Sequence, residues 1–187
     1  MSEQPPTHAP KLSRKRVSSR VLVNTGDGKG KSSAAFGVAM RAAGNGWHVA
    51  VVQFIKSGTW RTGEEASARD LGIDWWSLGD GFTWDTKDMK ESEAIAREAW
   101  RSAAELVRAG AHRLVVLDEI TYPMQWGWIA IDEVVEAIAT RPNGVSIIAT
   151  GRDAPAELRE IADTVTEMVA EKHAFDQGID AMRGIEF

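Results

Sequence analysis

Cysteine is absent from the 187 residues. Its absence excludes disulfides, a cysteine nucleophile and a thiolate zinc site, and it fits a chain made for a reducing cytoplasm. Long apolar runs are missing too. None approaches the roughly 20 residues of a membrane span, and the first residues lack the apolar core of a secretory signal. No membrane partner is expected. Positive charge is not in excess: the net charge is −5, so the whole chain is no obvious polyanion binder and no nucleic-acid partner is expected. His8, His48, His112 and His173 are scattered without metal-ligand spacing and read as surface or structural residues. Tyrosine occurs once, against eight tryptophans. Flat rings in that number fill a core or wall a pocket for a large flat ligand. The remaining composition, 43% hydrophobic and 26% charged, is that of one ordinary globular domain.

What is present is organised around residues 20–35. Val21, Leu22 and Val23 form the apolar run of a buried strand. Thr25 to Ser33 follows as a phosphate-cradling loop, and Ala34, Ala35, Phe36, Val38, Ala39 and Met40 continue as a helix. The loop matches G-x-x-x-x-G-K-[ST] at Gly30, Lys31 and Ser32, with Thr25 in the place of the first glycine. Gly26 and Gly28 supply the conformational freedom instead. A helix N-terminus with free N–H groups, plus one lysine as a point charge, suits an anion. The bland alternative is a Gly/Lys-rich surface turn, which a strand before and a helix after disfavour.

Strand and helix alternate along the rest of the chain. Strands are predicted at Val49–Ile55, Ile73–Trp76, Arg113–Ile120, Val145–Thr150 and Thr164–Val169. Helices are predicted near Ala66–Asp70, at Glu91–Arg108 with Ile95, Ala99, Ala103 and Leu106 inward, and at Asp132–Thr140. Thr121–Trp128 reads as a loop holding Tyr122, Pro123, Met124, Trp126 and Trp128. Asp153 is expected to cap a further helix with Pro155 in its first turn. This pattern predicts an α/β fold of the P-loop NTPase-like (RecA-like) kind, a mostly parallel sheet with helices on both faces. Residues 20–187 form one domain behind a flexible basic tail, residues 1–19. The tail is a disordered extension, a nucleic-acid arm or a flap over the anionic site. Lys56–Glu65 is either a plain connection or a wall of the ligand crevice, and Arg152 is either solvated or a phosphate contact.

The chemistry lies at three places. Lys31 and the loop N–H groups hold phosphate. Asp118 and Glu119 end an aliphatic strand, where a P-loop protein holds Mg²⁺ together with the Ser32 hydroxyl. Leu78–Thr86 carries Phe82 and Trp84 outside any periodicity; they either tuck onto the core or serve a ligand. No N-K-x-D motif selects guanine, so ATP is the expected nucleotide. From these features alone a small-molecule kinase and a RecA-like ATPase acting on nucleic acid remain open.

Several stretches together resemble the P-loop type of ATP:corrinoid adenosyltransferase. They are residues 25–37, 51–56, 81–86, 117–122, 149–152 and 172–178, and the likeness they mark out extends over nearly the whole chain after the tail. Ser32-Ser33 departs from the threonine pair of that family but keeps the hydroxyls. The resemblance implies that Co(I) of a corrinoid attacks the 5′ carbon of ATP and that triphosphate leaves. It implies ATP contacts from Thr25, Gly26, Asp27, Gly28, Lys29, Gly30, Lys31, Ser32, Ser33 and Arg152. It further implies Mg²⁺ or Mn²⁺ at Ser32 and Glu119 with Asp118 nearby, and Phe82 and Trp84 against the corrinoid. A flavoprotein reductase as electron donor and a homodimer are implied in the same way.

Overall fold

The computed structural model describes residues 15–57, 62–79 and 89–186. Six strands form one sheet: β1 (Val21–Thr25), β2 (Val49–Ser57), β3 (Asp74–Gly79), β4 (Leu114–Asp118), β5 (Ser146–Thr150) and β6 (Thr164–Glu167). Their spatial order is β3-β2-β4-β5-β1-β6 and every neighbouring pair is parallel. Parallel neighbours cannot be joined by a tight turn, so helices carry the chain back between them. These are α1 (Lys31–Gly44), α2 (Gly63–Asp70), α3 (Met89–Ala109), α4 (Thr121–Gln125), α5 (Ile131–Ala139) and α6 (Ala156–Glu160).

β4 and β5 are buried at every position, as a parallel strand covered on both faces must be. Alternation then divides their side chains. Val115, Leu117, Ile147 and Ala149 join Val21, Val23, Val52 and Phe54 in a core roofed by α3, α4, α5 and α6. Leu114, Val116 and Ile148 join Val49 and Val51 in a second core roofed by α1 and α2. The sheet is therefore covered on both faces, as the sequence pattern predicts.

Four local expectations are corrected. The inward stripe of α3 is Ser92, Ala96, Ala99, Trp100, Ala103, Ala104 and Val107. Ile95 and Leu106 flank it, half-buried, because small residues let the helix lie close to the sheet while Trp100 fills the remaining space. Trp100 Nε1 also donates to Glu133 Oε1 at 2.7 Å and so ties α3 to α5. Thr121–Gln125 is a helix, not a loop; Pro123 fits because it lies in the first turn, where no backbone donor is needed. Leu78 and Gly79 belong to β3 and not to the loop after it. Asp153 does not cap α6: its φ is 46° and Pro155 stands at the N-cap position without any side-chain cap.

Ser19, the last residue of the tail expected from sequence, and Arg20, the first of the domain, are both tied to the folded domain. Arg141 donates to Ser19 Oγ, and Arg20 N donates to Ser146 Oγ.

The register of β2 against β3 shifts between Gln53 and Ser57, where Gly79 pairs with Ser57. A Cβ on Gly79 would overlap the Ile55 carbonyl, and backbone cannot swing aside as a side chain can. Gly79→Ala is expected to destabilise the fold by about 1–3 kcal/mol, read as a lower midpoint in thermal or urea unfolding. An unchanged midpoint would show that β3 can slide away from β2.

Candidate active site

The loop between β1 and α1 sits at the carboxyl edge of the sheet, where parallel α/β sheets open their ligand crevices. Gly26 (φ 92°) and Gly30 (φ 112°) take left-handed conformations that L side chains rarely adopt. Gly28 is required for a different reason: a Cβ there would stand 2.7 Å from the Met168 and Val169 backbone. That backbone follows β6 and braces the loop. Gly28 N donates to Met168 O at 2.7 Å, and Met168 N donates to Thr25 O at 2.8 Å. Inside the loop, Asn24 Nδ2 donates to Lys31 O at 3.1 Å. No side chain caps α1 and its first turn holds no acid, so the dipole and amides of this helix end are left for an external anion.

Lys31 Nζ donates to Gly28 O at 2.7 Å, folding the ammonium back over its own loop. Burial lowers its pKa, with Arg152 adding repulsion; Asp27 and Glu119 oppose both. Arg152 Nε lies 3.7 Å from Asp27 Oδ1 at the cleft rim, a loose exposed pair that contributes little to stability.

The acidic side is built at the end of β4. Asp118 is 0% exposed; its Oδ1 accepts from Thr150 Oγ1 at 2.7 Å and its Oδ2 from Gln53 Nε2 at 2.9 Å. Glu119 leaves the strand at φ 64°, an uncommon conformation for a residue with a side chain. Its N–H donates to Thr150 Oγ1 at 2.9 Å, and its Oε2 is enclosed without a hydrogen-bond partner among the described residues. Burial, and then the charge of Asp118, push its pKa up to about 7 against the pull of Lys56, Lys31 and Arg152. A buried carboxylate oxygen without a donor is a place for a cation or a proton. Among the described residues no three His, Asp or Glu side chains cluster. Glu119 and Ser32 line the same cleft, so one carboxylate and one hydroxyl are the groups that could be offered to a cation there.

A cleft of about 410 Å³ gathers these groups. Of the residues singled out from sequence, Asp27, Gly28, Lys29, Gly30, Lys31, Ser32, Ser33, Glu119 and Arg152 line it. Thr25 and Gly26 do not. Thr25 is 1% exposed and its Oγ1 accepts from Ala154 N at 3.0 Å, so it ties the turn after β5 to the loop strand. Asp118 does not line the cleft either, both its oxygens being engaged behind it. Phe82 and Trp84 lie outside the described residues.

The cleft also holds Lys56, Glu64, Tyr122, Trp126, His173 and Glu186. Tyr122 and Trp126 stack at 5.6 Å and 29°, and Trp128 follows at 4.7 Å from Trp126. Burial, then Glu119, raise the Tyr122 pKa. Lys56 stands at a strand's carboxyl end, a signal visible in the sequence. Glu186, 3.5 Å from Lys29 Nζ, carries no signal there at all.

The raised pKa of Glu119 makes stability depend on pH. Between the ordinary 4.5 and about 7 the folded chain keeps a proton that the unfolded chain releases, so stability falls as pH rises through that window. Glu119→Gln removes the effect. Free of nucleotide and metal, that variant is expected to melt above the native protein at pH 8, with the gap closing below pH 4.5. A gap independent of pH in melting curves with EDTA would contradict this origin.

Residues 18–187 match the family model described as ATP:corrinoid adenosyltransferase BtuR/CobO/CobP. The chain is 42% identical over 167 residues to the corrinoid adenosyltransferase of Escherichia coli K12, covering 89% of this chain and 85% of that one. It is 46% identical over 169 residues to that of Pseudomonas aeruginosa, covering 89% and 83%. It is 40% identical over 167 residues to corrinoid adenosyltransferase CobA of Salmonella typhimurium, covering 89% and 85%. Among solved structures, the flagellar accessory protein FlaH of Methanocaldococcus jannaschii superposes with a TM-score of 0.46 at 13% identity, covering 81% of this chain and 71% of that one. With the phosphate loop, the acidic strand end and these relatives in agreement, the chain belongs to the ATP:corrinoid adenosyltransferase family.

Proposed function

We propose that this adenosyltransferase grips ATP by its triphosphate over residues 27–33 and presents the 5′ carbon to Co(I) of a corrinoid. The observation that carries this reading is the pairing of Lys31 with the uncapped start of α1 in one cleft. Co(I) supplies the electron pair of the new Co–C bond, and the 5′ C–O bond breaks with its pair leaving on the triphosphate. No proton needs removing, so no general base is required. The chain's tasks are to orient the two substrates and to stabilise charge on the leaving group. Lys31, the loop amides and Arg152 face that charge. Arg152 is the one arginine lining the cleft among the described residues, where a phosphoryl-transfer lid would bring several.

Ser32 and Glu119 are the residues that would hold Mg²⁺ or Mn²⁺, which when bound would neutralise part of the triphosphate charge. The unpartnered Oε2 of Glu119 supports this assignment. Asp118, 0% exposed and outside the cleft lining, stands behind Glu119 and not in the donor set. The stacked Tyr122 and Trp126 give the cleft a flat wall suited to a conjugated ring, which both substrates carry. Phe82 and Trp84 are assigned to the corrinoid: an apolar wall there keeps an axial ligand off Co(II) and eases its reduction.

The reduced cobalt comes from an external donor such as a flavoprotein reductase. The working form is a cytoplasmic homodimer. Exposed Val169, Phe175, Ile179, Met182 and Ile185 on the segment after β6, Phe175 at 80% exposure, support a subunit contact. The absence of cysteine supports the compartment. Among the described residues no helix is long and apolar enough to cross a membrane.

Anaerobic incubation with ATP and a chemically reduced corrinoid is expected to give a light-sensitive Co–C product and intact triphosphate, and Lys31→Ala is expected to abolish both. ADP, or phosphate without a Co–C product, would sink the reading. Phe82→Ala and Trp84→Ala are expected to slow turnover from Co(II) by at least tenfold while sparing turnover from pre-reduced Co(I), about 1.4 kcal/mol of selective loss. Equal loss from both starting states would remove these rings from the reduction step.

A further inference from the structure

A chain of buried hydrogen bonds crosses the carboxyl edge of the sheet, and the catalytic reading above leaves most of it unused. It begins on β3. Trp75 Nε1 donates to Gln53 Oε1 at 3.1 Å, and Ser77 Oγ donates to the same oxygen at 3.0 Å. On β2 the amide of Gln53 passes the direction on, Nε2 donating to Asp118 Oδ2 at 2.9 Å. On β5, Thr150 Oγ1 donates to Asp118 Oδ1 and accepts from the backbone N–H of Glu119. Four strands are thus joined by side chains as well as by their backbone ladders, through residues that are almost fully enclosed: Gln53 is 1% exposed, Asp118 and Thr150 0%.

The amide of Gln53 has one way to sit. Its oxygen must meet two donors from β3 and its nitrogen must meet the Asp118 carboxylate; a flipped amide would set oxygen against oxygen on one side and donor against donor on the other. The backbone places it for this. Gln53 stands in register with Ser77 on one side and with Asp118 on the other, and it is the last residue of β2 before the β2–β3 register shifts. Beyond it the ladder is irregular before Gly79 pairs with Ser57, so the Ser77–Gln53–Asp118 tie is the last point of regular register between β2 and β3. β3 leads into residues 80–88, which carry Phe82 and Trp84. The far end of the chain of bonds holds the backbone of Glu119.

We propose that Gln53 is a positioning residue that sets the strand leading to the corrinoid-facing segment against the carboxylate that serves the nucleotide. The proposal rests on the assignment of Phe82 and Trp84 to the corrinoid and of Glu119 to the ATP-bound cation. Gln53 touches neither substrate. Its effect passes through Ser77 to β3 and through Asp118 and Thr150 to Glu119. Bond formation between cobalt and the 5′ carbon needs both substrates aligned at once, and small misplacement is costly there. A shared tie between the two halves makes that alignment a property of the fold.

The test combines kinetics with a double-mutant cycle on the full chain. Gln53→Met keeps the side-chain volume and deletes all three hydrogen bonds of the amide. It is expected to raise KM for ATP and KM for the corrinoid together, about threefold or more each, which loss of folded enzyme alone would not do. Ser77→Ala and Thr150→Val lie on strands separated by two others, so without the tie their effects on kcat/KM should add. With it, the pair is expected to couple by about threefold or more, and the coupling is expected to vanish in Gln53→Met. Additive effects, coupling that survives in Gln53→Met, or unmoved KM values would each overturn the proposal. Should Gln53→Met fail to fold, the Ser77/Thr150 cycle in the native background decides alone. Absence of a Co–C product from the unmutated protein would instead strike the functional reading, and that control precedes the cycle.

Discussion

The active-site edge of this protein depends on one enclosed carboxylate. Asp118 has no cation beside it among its hydrogen-bond partners and no access to water. A charge in that position survives only if each oxygen receives a donor. Gln53 and Thr150 supply the two, one from each neighbouring strand, so β2, β4 and β5 are held together at the edge by the demands of a single group. The same charge acts on the next residue. Glu119 cannot share the donors, and the field of Asp118 adds to its burial in keeping its proton at a pH where most glutamates have lost theirs. An enclosed carboxyl deep in the sheet thus adds to burial in holding the proton on its neighbour at the cleft.

The phosphate loop extends the same logic with the opposite sign. Glycines let the loop turn, but its shape is set from outside by the backbone at Met168 and by the Thr25 hydroxyl on Ala154. Lys31 rests on a carbonyl of its own loop and therefore needs no distant partner before an anion arrives. The cleft between these positive and negative sides is walled by Tyr122 and Trp126, which stand on the short helix that follows Glu119. One strand end thereby delivers both the unpartnered carboxylate oxygen and the flat wall.

Much of this was legible in the sequence, for physical reasons. The buried parallel strands announce themselves as aliphatic runs, since both their faces are covered. Gly30-Lys31-Ser32 stands out because the geometry of such a loop tolerates few other residues, and Glu119 at the strand's end lines the same cleft while Asp118 lies enclosed behind it. What stayed hidden depends on contacts between distant parts of the chain. Thr25 looked like a phosphate ligand because of its position in the motif, whereas its hydroxyl is consumed by a turn 129 residues away. The sequence sets Asp118 near the cation candidates, but the two donors that enclose it come from other strands. His173 and Glu186 reach the cleft only because the chain after β6 passes over the loop. The helix at 121–125 was masked by Pro123, whose presence argues against helix everywhere except in a first turn.

The bracing of the phosphate loop by Met168 bears on how the protein is made. Synthesis runs from the N-terminus, and the loop sequence emerges well before β6 and Met168, which follow four further strands. A growing chain carries its entire nucleotide signature well before it owns the backbone that gives the loop this shape. β1 is caught in the same delay, since both its neighbours, β5 and β6, are late strands. Non-local pairing of this kind is slow and leaves strand edges open meanwhile. The loop therefore takes this shape only once β6 has joined the sheet beside β1.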